Sequence, residues 1–130
     1  MQRMSDLLDY GFSFLAHWKL TINGIELDRD APDHLGIYVF ILDSKPVYFG
    51  MTTKIMRHRM SDVERGHKAQ LTHCRLKALI IEGLELGSKV SVLFALDIGD
   101  KAEHIEITRK SLKQRLVTRF HPIWNLQGLS

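Results

Sequence analysis

The sequence predicts an α/β domain in which a small antiparallel three-stranded sheet is flanked by helices, preceded by an N-terminal helix and a short hairpin. Two apolar runs, at residues 36–42 and 47–51, flank the polar break Asp43-Ser44-Lys45-Pro46, which is the pattern of a β-hairpin. In a third run, at residues 90–98, the apolar residues Val90, Val92, Phe94 and Leu96 recur at every second position, as expected for a strand. Several segments with helical spacing of apolar residues surround these runs, so helices should pack on the sheet.

Composition limits what the chain can be. Its 130 residues, with 45% hydrophobic residues, suffice for one domain with a single core. The net charge of +3 is compatible with a polyanionic partner without requiring one. Cys74 is the only cysteine, which excludes an intramolecular disulfide and fits a reducing compartment. With no apolar run of membrane-spanning length and no signal-peptide pattern, we expect a cytoplasmic protein without a membrane partner.

Residues 1–34 form an N-terminal extension. Ser5 is a candidate helix cap, and the apolar stripe of residues 7–15 predicts a helix as far as Ala16 or His17. Residues 20–27 alternate apolar and polar side chains around Asn23-Gly24, a strong short-range hairpin signal. The extension has three candidate roles, which are a packing element, an oligomer contact and a DNA-contacting arm.

Helices and one strand follow the central hairpin. Charge and apolar spacing predict helices over residues 54–64 and 71–86, with Gly87 at a left-handed helix end. Leu76, Leu79 and Ile80, with Leu84 and Leu86, should face the core. A last helix over residues 103–120 carries apolar residues at spacings of seven and four, and Pro122 should stop it.

Three short motifs occur in order along residues 35–127. They are Gly36-Ile37-Tyr38, then Tyr48-Phe49-Gly50 followed by an arginine on the next predicted helix, and finally Pro122-Ile123-Trp124-Asn125. In this order and spacing the chain resembles the GIY-YIG nuclease family. Phe49 replaces the family's usual aliphatic residue with another apolar one. The resemblance implies that residues 35–130 are a GIY-YIG-like domain, forming one compact unit with the extension.

The resemblance implies a DNA endonuclease that hydrolyses phosphodiester bonds with a divalent cation, Mg²⁺ or Mn²⁺. Tyr38 would be the base or the orienter of the attacking water, and Tyr48 would hydrogen-bond at the same centre. An arginine would stabilise the transition-state charge; Arg59 is the first choice, and Arg57 is its rival. Asn125 would brace the site.

The metal ligand is where the chain departs from the family. The family places a glutamate about a dozen residues before the closing asparagine, and that position is Lys113. Mg²⁺ prefers oxygen ligands and is repelled by an ammonium group. Glu106 and Glu103 lie two turns or more earlier on the helix and are poor substitutes. Either this chain has lost its metal ligand, or the last helix packs in a different register.

Basic residues cluster after the central hairpin, which favours contact with nucleic-acid phosphates. A solvated helix face is the alternative explanation. The candidate contacts are Lys54, Arg57, His58, Arg65, His67 and Lys68, followed by Arg75 and Lys77.

Three functions therefore stay open. The first is a metal-dependent DNA endonuclease, which would be inactive in this form if Lys113 abolishes the metal site. The second is a non-catalytic nucleic-acid-binding module that needs no cofactor, and the third is a protein-interaction domain. A homodimer or higher oligomer would suit an enzyme that cuts both strands.

Overall fold

A computed structural model describes residues 4–67, 70–96 and 102–125, with the side chains of all of these except 4, 5, 9, 96 and 102–109. The fold class predicted from the sequence is confirmed, since a sheet of antiparallel strands is flanked by helices. Its elements are a 3-10 helix (Met4–Tyr10), strands β1 (Ser13–Thr21), β2 (Gly24–Leu27), β3 (Gly36–Leu42) and β4 (Lys45–Met51), helices α1 (Met56–Arg65) and α2 (Leu71–Glu85), strand β5 (Val90–Leu96) and helix α3 (Ala102–Phe120).

The sheet has five strands rather than the three predicted, in the order β2-β1-β5-β3-β4. The N-terminal hairpin is confirmed, but it is not a separate appendage. Strand β1 pairs antiparallel with β5, from Ser13 opposite Phe94 to Trp18 opposite Val90. The added strands bury Ala16 and Trp18 against the core. This burial stabilises the attachment of the extension to the sheet, because removing apolar surface from water is favourable.

The predicted N-terminal helix is wrong beyond Tyr10. Gly11 adopts a positive φ of 87° and ends the helical turns, and residues 13–17 lie in β1. A register shift between Phe14 and Ala16 places both Leu15 and Ala16 on buried positions. That irregularity breaks the two-residue period of a strand, which is why the sequence resembles a helical stripe.

Each face of the sheet has its own hydrophobic core. Helices α1 and α2 cover one face, where Trp18, Phe40, Leu76 and Ile80 are buried. Helix α3 covers the other, on which Leu116 packs among Val39, Phe49 and Phe120.

Helices α1, α2 and α3 each begin and end within two residues of the bounds predicted from the sequence. Gly87 is left-handed after α2, with φ of 89°, as predicted, whereas Leu86 is 77% exposed and not part of the core. Residues 97 and 98 of the predicted third strand lie outside the described residues. Within the described part of the chain, no helix has the length and apolar character needed to cross a membrane.

Candidate functional site

Two tyrosines from neighbouring strands lie side by side on the face covered by α1 and α2. Tyr38 on β3 and Tyr48 on β4 have ring centroids 6.1 Å apart, and their hydroxyl groups hydrogen-bond to each other. Their proximity follows from the pairing of β3 with β4, in which Tyr38 lies opposite Gly50 and Phe40 lies opposite Tyr48. The hairpin register therefore brings both motif tyrosines to one place.

Gly50 leaves room for a side chain of the neighbouring strand. It lies within β4, which continues to Met51, and its φ is not positive. The phenol ring of Tyr38 occupies the space that a Cβ atom on residue 50 would require. The glycine of the second motif thus lets the ring of the first motif pack close to the backbone of β4.

Both tyrosines are neutral at physiological pH. Burial raises the pKa of Tyr38 well above its usual range, and the neighbouring Tyr48 raises it further. Burial also raises the pKa of Tyr48, although the Arg75 guanidinium opposes that shift. Neutral hydroxyl groups can orient a water molecule or a phosphate oxygen, but they are poor resident bases. Between the two roles considered for Tyr38, these pKa shifts favour the orienting one.

Arg59 lies beside the tyrosines, and Arg57 does not. The guanidinium of Arg59 is held by Thr53, to whose Oγ1 the Nη2 group donates at 3.0 Å, and by His73, whose Nε2 is 2.9 Å from Nη1. Its Nε is buried and has no hydrogen-bond partner among the described residues. Arg57 instead pairs with Asp33 at 2.6 Å on a different part of the surface.

His73 is a site residue that the sequence pattern did not reveal. Arginine can only donate, so His73 Nε2 must accept from Arg59, and Nδ1 must carry the proton and donate to Gln70 Oε1 at 2.7 Å. Burial lowers the pKa of His73, and the adjacent Arg59 lowers it further, so the neutral form is favoured. The spacing of three between Gln70, the N-cap of α2, and His73 in its first turn was the only sequence signal, and it is a weak one.

Asn125 braces the edge of the sheet behind Tyr48. It is 2% exposed; its Oδ1 accepts from the Phe49 N–H at 2.7 Å, and its Nδ2 donates to the Phe49 carbonyl at 3.0 Å. Strand β4 is an edge strand, so these backbone groups lack a neighbouring strand on that side. The next strand position is filled instead by the side-chain amide of Asn125 and by Trp124, whose N–H donates to the Val47 carbonyl.

One cavity of about 540 Å³ joins these groups. It is lined by Tyr38, Tyr48, Met51, Arg59, Gln70, Leu71, Thr72, His73 and Lys113. Lys113, the position at which the family resemblance implies a metal ligand, is one of these lining residues.

The donor set of this cavity does not fit a divalent cation. Among the described residues no carboxylate lines it, and no group of three or more histidine, cysteine or acidic side chains is arranged to hold a metal. Two cationic side chains line it instead. The side chains of Glu103 and Glu106 lie outside the described part of the chain; Glu106 is seven residues before Lys113, or about 10 Å along the helix axis.

The predicted basic cluster does not form one free surface. Lys54 and Arg65 lie 2.7 and 2.8 Å from opposite oxygens of Asp62, which is 4% exposed. Burial alone would raise the pKa of Asp62, but the hydrogen bond and positive charge of Lys54 and the hydrogen bond of Arg65 outweigh that effect and lower it. His58 and His67 are exposed, and Lys68 is outside the described residues. Asp62, three residues from both Arg59 and Arg65, was overlooked in the sequence.

Comparison with known proteins gives a match of fold. No protein-family model matches the chain, and no curated protein sequence does. Among solved structures, a mutant of bacteriophage T4 EndoII is similar with a TM-score of 0.74 and 21% sequence identity, covering 96% of this chain and 100% of that one. At this level of identity the similarity establishes a shared fold across nearly the whole chain, including the N-terminal strands.

Proposed function

We propose that this chain is a GIY-YIG-type endonuclease domain that acts on DNA phosphodiesters and whose hydrolytic activity is blocked in the present sequence by Lys113. The observation that carries the proposal is that Tyr38, Tyr48, Arg59 and Lys113 all line one cavity. The fold is shared with EndoII, an endonuclease by its name.

The chemistry of the cavity suits a phosphate group. Arg59 offers guanidinium donors in an orientation that is fixed by its contacts with Thr53 and His73. The two neutral phenol groups can donate to phosphate oxygens or orient a water molecule beside them. In a partly buried site each such donor acts more strongly than in water, because the surrounding dielectric is low.

Hydrolysis would need a group that the described site lacks. The described residues of the cavity offer no carboxylate to Mg²⁺ or Mn²⁺, and an ammonium stands at the position where the family resemblance implies one. We therefore expect the chain to bind DNA at this cavity and to leave it uncut.

Restoring a carboxylate tests the proposal directly. We expect Lys113→Glu to nick supercoiled plasmid with Mg²⁺ or Mn²⁺ and to lose that activity in a chelator, while the unmodified chain leaves the plasmid intact. Lys113→Gln is the matched control, because it removes the ammonium without supplying an anionic ligand, and it should remain inactive. Adding Arg59→Leu to Lys113→Glu should abolish the restored nicking.

Two results would contradict this proposal. A folded Lys113→Glu variant that fails to nick plasmid with either cation would show that the loss of one metal ligand is not what prevents hydrolysis. Nicking by the unmodified chain would show that another carboxylate serves, and Glu106→Gln would then be expected to abolish it.

A second function is favoured by Lys113 itself. A lysine in this cavity contributes a positive charge that suits phosphate binding, so the domain would be a non-catalytic nucleic-acid-binding module. This alternative predicts salt-dependent DNA binding by the unmodified chain and no nicking by any variant at position 113.

A further inference from the structure

A second cavity adjoins the first along α3. It has a volume of about 450 Å³ and is lined by Met51, Lys110, Lys113, Gln114, Val117 and Thr118. Met51 and Lys113 line both cavities, so they mark the junction between the two. The tyrosine cavity therefore opens towards a path that continues along the helix.

The polar side chains of the second cavity are regularly spaced. Lys110, Gln114 and Thr118 are four residues apart, which places them on one side of α3 at intervals of about 6 Å. Each can donate a hydrogen bond to an anionic oxygen. Lys113 lies next to this row, at the junction.

The charge of the two cavities points to an anionic ligand. Their described linings contain the cations Arg59, Lys110 and Lys113 and no carboxylate. Burial lowers the pKa of Lys113, so its ammonium is incompletely solvated, and an anion placed against it would compensate for that loss. A carboxylate with a bound divalent cation has a net charge of +1, which is the charge of an ammonium group. Replacing that pair by lysine therefore keeps the attraction for phosphate.

We propose that the two cavities form one groove that binds a nucleic-acid backbone without a divalent cation, with Lys113 contacting the phosphate nearest the tyrosines and Lys110 and Gln114 contacting flanking backbone. The inference rests on the proposed function for its ligand, DNA. It extends that function by assigning the path of the DNA backbone along α3 and by making Lys113 a direct phosphate contact.

Binding of a fluorescein-labelled DNA duplex, followed by anisotropy in EDTA over a range of salt concentrations, tests the inference. Because the unmodified chain uses no divalent cation, Mg²⁺ should not strengthen its binding over that in EDTA, and competition of Mg²⁺ for the phosphates should weaken it. Lys113→Met should weaken binding about tenfold and make the slope of log K against log salt shallower by about 0.9, as expected for one lost phosphate contact. Lys110→Met should reduce the slope similarly.

Matched variants separate the contact from general charge and folding effects. Lys45→Met removes the same charge at the start of β4, six residues before Met51 and about 20 Å along the strand, and should leave the slope unchanged. Lys113→Arg keeps the charge and should retain binding. Lys113→Glu should bind poorly in EDTA and regain affinity when Mg²⁺ is added.

Two outcomes overturn the inference. They are loss of binding by the unmodified chain in EDTA, and a folded Lys113→Met variant with parental affinity and slope. Neither depends on nicking by Lys113→Glu. If Lys113→Met weakens binding but Lys113→Glu never nicks, the groove binds DNA and the nuclease proposal fails. If Lys113→Met binds as the parent does while Lys113→Glu nicks, the nuclease proposal holds and the groove is refuted.

Discussion

The amide of Asn125 should contribute more to stability than most polar side chains of this fold. It forms two hydrogen bonds with the backbone of Phe49, at 2.7 and 3.0 Å, and it is almost completely buried. Asn125→Ala removes both partners from a buried N–H and a buried carbonyl. An unsatisfied buried group costs about 1–3 kcal/mol, so with two such groups we expect the free energy of unfolding to fall by about 2–6 kcal/mol.

Urea denaturation measures this loss. Trp124 is buried beside Asn125, and with Trp18 it should report unfolding by fluorescence. The natural comparison is Asn23→Ala at the exposed tip of the first hairpin, which should change the free energy of unfolding by no more than about 0.5 kcal/mol.

Asn125→Asp refines the test. The aspartate keeps one acceptor for the Phe49 N–H but turns a second oxygen towards the Phe49 carbonyl, where the donor had been. We expect it to be at least as destabilising as Asn125→Ala at neutral pH, since it also buries a charge. If the free energy of unfolding of Asn125→Ala is within about 0.5 kcal/mol of the parent's, the bracing role assigned to this residue is wrong.

Two further variants probe the site. Gly50→Ala should lower the free energy of unfolding by about 1–3 kcal/mol, because its Cβ collides with the ring of Tyr38. In urea titrations that loss should be smaller in a Tyr38→Leu background, which lacks the ring. An equal loss in both backgrounds would refute the clash. For His73, whose pKa is lowered on folding, the unfolded chain takes up more protons as pH falls below about 6.5, so stability present above that pH should be lost in acid. His73→Gln keeps an acceptor for Arg59 without titrating, and should lose less stability than the parent between about pH 7.5 and about pH 5.5; equal losses would exclude this contribution.

The local sequence was sufficient for the elements whose pattern is self-contained. The central hairpin, the helices and the left-handed Gly87 follow from residues next to one another in the chain. The hairpin register also brings Tyr38 and Tyr48 together, because two strands joined by a short turn can pair in few ways.

The first seventeen residues show where local pattern fails. The buried positions around Phe14 resemble a helical stripe only because a bulge interrupts the strand period. What makes β1 a strand is β5, which lies more than seventy residues away and has an unpaired side for it to join. Such a pairing depends on tertiary context, which outweighs intrinsic preference.

The sequence by itself determined the fold class, the tyrosine pair and the absence of a glutamate at position 113. Only the tertiary structure decided that His73 hydrogen-bonds to Arg59 and that Asp62 forms ion pairs with two of the predicted DNA-binding cations, Lys54 and Arg65. It also decided that Lys113 lines two adjoining cavities. The physical reason is that charge and hydrogen-bond partners are set by distance in space. Helix α3 is far from α1 along the chain, and packing around one sheet brings Lys113 of α3 into a cavity with Arg59 of α1.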